Sequence, residues 1–479
     1  MIDIKNATIK DIHKAYKEKT ATVTDVVLAY LERIAKIDSC ETGLKSVIEI
    51  NPDALFIAKS LDADLKCLDA LPPLFGIPIL LKDNINTNDR LHTTAGSVAL
   101  GDNYAPYDAH VTVQLLEAGA VILGKANMSE FAYYMSREDM PSGYSSRGGQ
   151  VLNPYNRKET PSGSSSGSAV AVAAGLCVAS IGSETSGSIV SPSGQNGIVG
   201  IKPTMGLVSR SGVIPISSTH DTTGPMTKTV YDAAVILSVI AGVDPDDSAT
   251  YAHKFTNEDY TKYCDANGLN GTRIGIVRNP GKEEKEALTE EEQAAFDNLC
   301  KVATDAGAIL VDNIEISHTN SIMKILHHEF KACLNYYLST LENSKIKTLK
   351  DIIEYNQANA AVGLKYGQSL LLDSENKSSG LLVEPEYLEA LLHREQAIKE
   401  MDKQFDDNNL DVMLFEAFPG IAPFAGFPSI TIPTGQRENR IPTNSIWVAR
   451  RFDEAALIKV AYAAEQALGI NLEPEEMTI

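Results

Sequence analysis

Residues 161–176 read PSGSSSGSAVAVAAGL. The first half has the composition of a linker, because Ser and Gly bury little apolar surface and lose much backbone entropy on ordering. The second half is a run of small apolar residues suited to a fully buried segment. A flexible linker has no reason to open onto a buried segment, so the stretch reads as a constrained loop entering a core. Two other stretches share this character. PLFGIPILLKDN (73–84) is a short apolar run bounded by Pro and Asn, the pattern of a buried strand, and the run ends on Lys82. GSETSGSIVSPS (182–193) is a second Ser/Gly turn, and it follows the apolar GLCVASI.

On either side, helical and strand periodicities alternate. TVTDVVLAYLERIAKID (22–38) sets Val26, Val27, Tyr30, Leu31 and Ile34 at helical spacing, with Thr24 as the N-cap. AHVTVQLLEAGAVILGKAN (109–127) reads as helix, Gly turn and buried strand. GTRIGIVRN (271–279), a helix from about Thr289 with Glu292 completing a capping box, and AILVDNIEI (308–316) form a strand–helix–strand unit. Residues 320–408 are mainly helical and polar. LDVMLFEA (410–417) and FPSITIPTG (427–435) return to strand character, and DEAALIKVAYAAEQAL (453–468) is an amphipathic helix. The expected fold class is α/β, a mixed, mostly parallel central sheet covered by helices on both faces.

The 479 residues are 43% hydrophobic and 22% charged, an ordinary globular balance with enough apolar side chain for a large core. A formal net charge of −21 argues against nucleic acid or an anionic membrane as partner, since both select cationic surfaces. No stretch approaches a spanning helix, and the first residues lack the pattern of a signal peptide, so the expected location is the cytoplasm. Six cysteines without CxxC spacing are expected to be reduced thiols.

Several short motif matches lack the context their chemistry needs. GAVILGKA (119–126) fits a phosphate-binding loop, but Ala126 replaces the hydroxyl that would hold magnesium, and AVIL reads as strand. GSSSG (163–167) fits a nucleophile elbow centred on Ser165, yet no strand precedes it. Ser344/Lys347 and Ser374/Lys377 match S-x-x-K in polar segments without a K-T-G partner. His327–His328–Glu329 lacks metal spacing. His220–Asp221 could orient a base, but neighbours on an extended chain point apart, so a hydrogen-bonding loop pair is expected.

What remains is a lysine and two Ser/Gly turns. Lys82 ends a fully apolar strand, where desolvation favours the neutral amine, and a neutral amine is a base. The turn at 182–193 can align several backbone N–H groups, as an oxyanion hole requires. With the spacing of Lys82, SGSSSGS and a serine 24 residues after the third residue of that run, the sequence resembles the amidase signature family. The resemblance covers roughly residues 20–468, so one domain spanning 1–479 is expected, with a variable, mainly helical region at about 310–420. The matching text includes GIPILLKDNINT (76–87), TTAGS (93–97), LGKANMSEFA (123–132), NPYN with TPSGSSSGSAVAVAAGL (160–176), GSETSGSIVSPSGQNGIVGIKPTMGLVSRSGVIP (182–215), DTTGPM (221–226) and FAGFPSITIPTG (424–435).

Carried over by position, the resemblance implies a Ser–Ser–Lys triad with Ser188 as nucleophile, Ser164 as bridge after a cis peptide bond, and Lys82 as base. The N–H groups of Thr185, Ser186, Gly187 and Ser188 fall where the family forms its oxyanion hole, and Glu184 stands where Asp or Glu is usual. No cofactor or metal is implied. The substrate expected is a small-molecule or peptide amide, and ETSGSIV and SRSGVIPIS look most like peptide amidases, which hydrolyse a C-terminal carboxamide. Ser162, Ser166, Ser186 and Val190 depart from the commoner family residues, three of them by adding a Cβ where glycine is frequent. Two alternatives stand beside this reading. One is the glutamine-hydrolysing A subunit of a tRNA-dependent amidotransferase, and the other a non-catalytic amidase-like binding module.

Overall fold

The small-residue run after the Ser/Gly loop is a helix, Ser166–Ala173, buried at every position. In the computed structural model, which describes residues 3–252, 258–278, 288–342 and 344–475, this helix packs against the sheet that organises the molecule. The strands, in chain order, are β1 (Val47–Ile50), β2 (Pro78–Lys82), β3 (Val121–Ala126), β4 (Tyr144–Ser145), β5 (Gly149–Gln150), β6 (Ala179–Glu184) and β7 (Val199–Lys202). They continue with β8 (Thr222–Thr227), β9 (Arg273–Val277), β10 (Ile309–Val311), β11 (Val412–Phe415), β12 (Ser429–Gln436) and β13 (Pro442–Ala449). Among the described residues, β4 and β5 pair as a small ribbon, and the other eleven form one sheet in the order β1-β3-β2-β6-β8-β7-β12-β13-β11-β9-β10.

The sheet is mixed, as expected, with parallel and antiparallel ladders in separate parts of it. Parallel ladders occupy two flanks, β3-β2-β6 and β11-β9-β10. Between them the pairs from β6 through β8, β7, β12 and β13 to β11 are antiparallel, as is β1 with β3. Three strands of that antiparallel middle, β7, β8 and β13, are absent from the sequence reading. β8, TTGPMT, carries a Gly and a Pro, which argue against a central strand. β13 follows β12 after a short connection, and such a hairpin can only be antiparallel. Residues of β2, β3, β6, β7, β8 and β11 are buried throughout, which requires cover on both faces. The single tryptophan, Trp447, lies fully buried on β13 and donates to Ser445 Oγ at 3.0 Å.

Local chemistry sets the helix ends. The first long helix runs Val23–Ile37, capped by Thr22 rather than Thr24, because Thr22 and Asp25 exchange side-chain and backbone hydrogen bonds as a capping box. Thr24 Oγ1 donates instead to Asp62 at 2.6 Å. The expected box at Thr289 and Glu292 caps the helix Glu290–Asp305. The 310–420 region is mainly helical, with helices Ile322–Ser339, Leu349–Ala358, Ala360–Gly363, Ser369–Lys377 and Pro385–Asp407. Phe330, Leu334 and Leu338 of the first of these pack with Met128, Phe131 and Tyr134 in a cluster of their own. Among the described residues no helix is long and apolar enough to cross a membrane.

Candidate active site

Strands β2 and β6 are parallel neighbours, paired from Ile79 with Ala179 to Leu81 with Ile181. Their C-terminal ends therefore emerge together, placing Lys82 beside Ser183 and the turn that follows β6. Lys82 is fully buried. Its Nζ lies 2.8 Å from Ser164 Oγ, and 2.9 Å from both the carbonyl and the hydroxyl oxygen of Ser183. Asn84 Nδ2 donates to the same Ser183 hydroxyl at 2.9 Å. Burial lowers the Lys82 pKa to about 7, against the pull of Asp221 and Glu184, which favour the cation.

Ser164 sits ahead of the buried helix, after a cis bond from Gly163. Its carbonyl accepts from Ser129 N–H at 3.0 Å, which pins the loop from the far side. A Cβ on Gly163 would lie 2.6 Å from Ser129 Oγ, so the approach needs a glycine. Ser162 adopts φ +57°, a left-handed conformation that a serine tolerates less well than the glycine common at this position. Ser166 Oγ donates to Ser162 O at 2.5 Å and closes the loop onto the helix.

The turn after β6 is organised by the Glu184 carboxylate. One oxygen accepts Gly187 N–H at 2.7 Å, and the other accepts the N–H groups of Ile189 and Val190 at 2.7 and 3.0 Å. Of the four N–H groups expected to form an oxyanion hole, those of Thr185, Ser186, Gly187 and Ser188, that of Gly187 donates to Glu184. Gly187 has φ +84°, and a Cβ there would meet the Phe418 ring at 3.1 Å. Thr185 Oγ1 donates to Asp221 Oδ1 at 2.5 Å. The Ser188 carbonyl accepts Ser165 N–H at 3.2 Å, so the two Ser/Gly loops lie side by side. Among the described residues the Ser188 hydroxyl is not hydrogen-bonded to Ser164 Oγ.

Of the sequence candidates, Lys82 and Ser164 are in direct contact, and the 185–188 turn adjoins them. Ser183, Asn84, Ser129 and Asp221 are part of the same cluster; the first three were not singled out from sequence, and Asp221 was weighed only as a partner of His220. Ser183 lies within the quoted turn, but its bond to Lys82 spans 101 residues and has no local signature. The other motif matches resolve into structural roles. Ser165 is buried and donates to Ser183 O at 3.0 Å. Lys125 lies on β3 and donates to Thr93 Oγ1 at 2.8 Å. His220 stacks on Phe424 with Nδ1 3.1 Å from Ser217 Oγ, while Asp221 points to Thr185, so the pair does diverge. Burial holds the His220 pKa down at about 3. Ser374 Oγ lies 3.2 Å from Tyr134 OH, and Lys377 pairs with Asp373, so that S-x-x-K match is not a pair.

The family model described as Amidase matches residues 25–426. A "Probable amidase" of Arabidopsis thaliana is 40% identical, over 98% of this chain and 92% of the relative. The A-type subunit of the glutamyl-tRNA(Gln) amidotransferase of Koribacter versatilis is 34% identical, over 90% of this chain and 93% of the relative. The crystal structure of native peptide amidase from Stenotrophomonas maltophilia superposes with a TM-score of 0.92 at 37% identity, covering 99% of this chain and all of that one.

Proposed function

The chain belongs to the amidase signature family, and from that premise we propose that it hydrolyses a peptide C-terminal amide or small carboxamide to carboxylate and ammonia through Ser188, Ser164 and Lys82. The observation that carries this reading is the fully buried Lys82 amine in contact with Ser164 Oγ. A lysine with a pKa of about 7 is substantially neutral at physiological pH and can accept a proton. Lys82 takes the proton of Ser164, which takes that of Ser188 as the Ser188 oxygen attacks the amide carbon. The tetrahedral oxyanion is met by N–H groups of the 185–188 turn, which Glu184 holds in place and whose donors cost no reorganisation. Ser164 then passes a proton to the departing ammonia, and water, deprotonated along the same route, releases the acid from the acyl-enzyme. The likeness to a peptide amidase over the full chain supports the substrate class. Glutamine hydrolysis within an amidotransferase is the second reading, supported by the amidotransferase relative.

The test is ammonia release from a panel of peptide amides, aryl amides, aliphatic amides and glutamine. Peptide amides are expected to be turned over fastest, and preference for glutamine would favour the second reading. Ser188→Ala should abolish both ammonia release and labelling by a fluorophosphonate, and Lys82→Ala should reduce both severely. Full activity in Ser188→Ala would overturn the triad assignment.

A further inference from the structure

Glu329 takes no part in these proton transfers, yet it is fully buried and accepts four hydrogen bonds. From the helix Ile322–Ser339 its carboxylate takes Ser217 Oγ–H at 2.5 Å, Thr219 N–H at 2.9 Å and Tyr387 O–H at 2.8 Å, together with the Thr219 hydroxyl. A buried carboxylate is tolerated only when its lone pairs are satisfied, and removing it would strand all four donors. Three of the four belong to one short loop, residues 216–221.

The other end of that loop is Asp221. Its Oδ2 accepts the N–H groups of Ile216 and Ser217 at 2.7 and 2.9 Å, folding the loop on itself, and its Oδ1 accepts Thr185 Oγ1–H. Thr185 begins the turn that contains Ser188. Just upstream, Ile214 N–H donates to Asn84 O at 2.8 Å, and Asn84 bonds the Ser183 hydroxyl that touches Lys82. The loop thus joins Glu329 to the turn that contains Ser188, held from outside by Glu329 and from within by Asp221, with Ser217 bonded to both carboxylates.

We propose that Glu329 is a positioning residue for the reaction: by clasping residues 216–221 it fixes Asp221, and through Asp221 it sets Thr185 and the donor end of the 185–188 turn. The role rests on the reading of Ser188 as nucleophile. It gives the helical 310–420 region a mechanical hold on the chemistry through Asp221 and Thr185.

The experiment uses the full chain, the fastest substrate of the amide panel and a fluorophosphonate probe. Glu329→Gln keeps the shape but turns one acceptor into a donor. It should lower kcat and the labelling rate in parallel by about tenfold to a hundredfold, the effect of a small displacement of reacting groups, with KM within about twofold. Thr219→Val, which deletes one hydroxyl of the clasp, should move both rates in the same direction by less. Leu334→Ala, which loosens the same helix without touching the clasp, should lower Tm while leaving kcat per folded molecule within about twofold. Combined with Asp221→Asn, Glu329→Gln should cost less than the product of the single losses. Full kcat and labelling in folded Glu329→Gln, losses matched by Leu334→Ala, or multiplicative losses with Asp221→Asn would each reject the positioning role. Retained activity in Ser188→Ala would instead reject the nucleophile assignment, so the two failures are distinguishable.

Discussion

At Lys82 the competition is between desolvation, which expels the charge, and the carboxylates of Asp221 and Glu184, which invite it. Desolvation wins, and the pKa falls from 10.5 to about 7. If the neutral amine is the base, the acylation rate should climb with pH up to about 7 and level off above it. A pre-steady-state labelling profile that stayed flat across neutrality would contradict this. The same residue shapes stability in a defined direction. Between about pH 7 and 10.5 the unfolded chain binds a proton at Lys82 that the folded chain does not, so stability rises with pH through that window. Below it the burial cost is fully felt. Lys82, both serines and the 185–188 turn were nominated because three spaced motifs matched a family pattern, and the contact of Lys82 with Ser164 joins two of them. Ser183, Asn84 and Asp221 were not, since each enters the site through contacts that pattern and spacing do not encode.

At the scale of an element, the helix Ser166–Ala173 shows what a composition reading misses. Gly167 is a poor helix former, costing about 1 kcal/mol relative to Ala, and sequence alone would nominate it for replacement. In the fold a Cβ there would lie 2.3 Å from the carbonyl oxygens of both Ser46 and Asn127. Gly167→Ala should therefore destabilise by about 1–3 kcal/mol, because the backbone carbonyls cannot retreat without moving the loop that holds Ser164. Thermal unfolding of the variant measures this, and an unchanged or raised Tm would contradict the packing. The N-cap at Thr22 makes the same point more gently. Thr24 is a plausible cap by type, but the reciprocal partner three residues on, Asp25, belongs to Thr22.

Across the whole molecule, individual buried strands were readable from apolar runs bounded by turns, whereas their pairing was not. β8 hides behind a Gly and a Pro, and β13 had no place in the sequence reading; both sit in the antiparallel middle of the sheet. The mixed sheet follows from long-range partners, which periodicity cannot supply. One consequence is optical. The chain's single indole lies fully buried on β13, inside the same apolar core that carries β2 and the buried helix behind Ser164. Its fluorescence is thus a built-in gauge of that core. In a urea titration the red shift of its emission and the loss of fluorophosphonate labelling should share one midpoint; labelling lost well before the shift would mean that the Ser/Gly loops come apart while the sheet still stands.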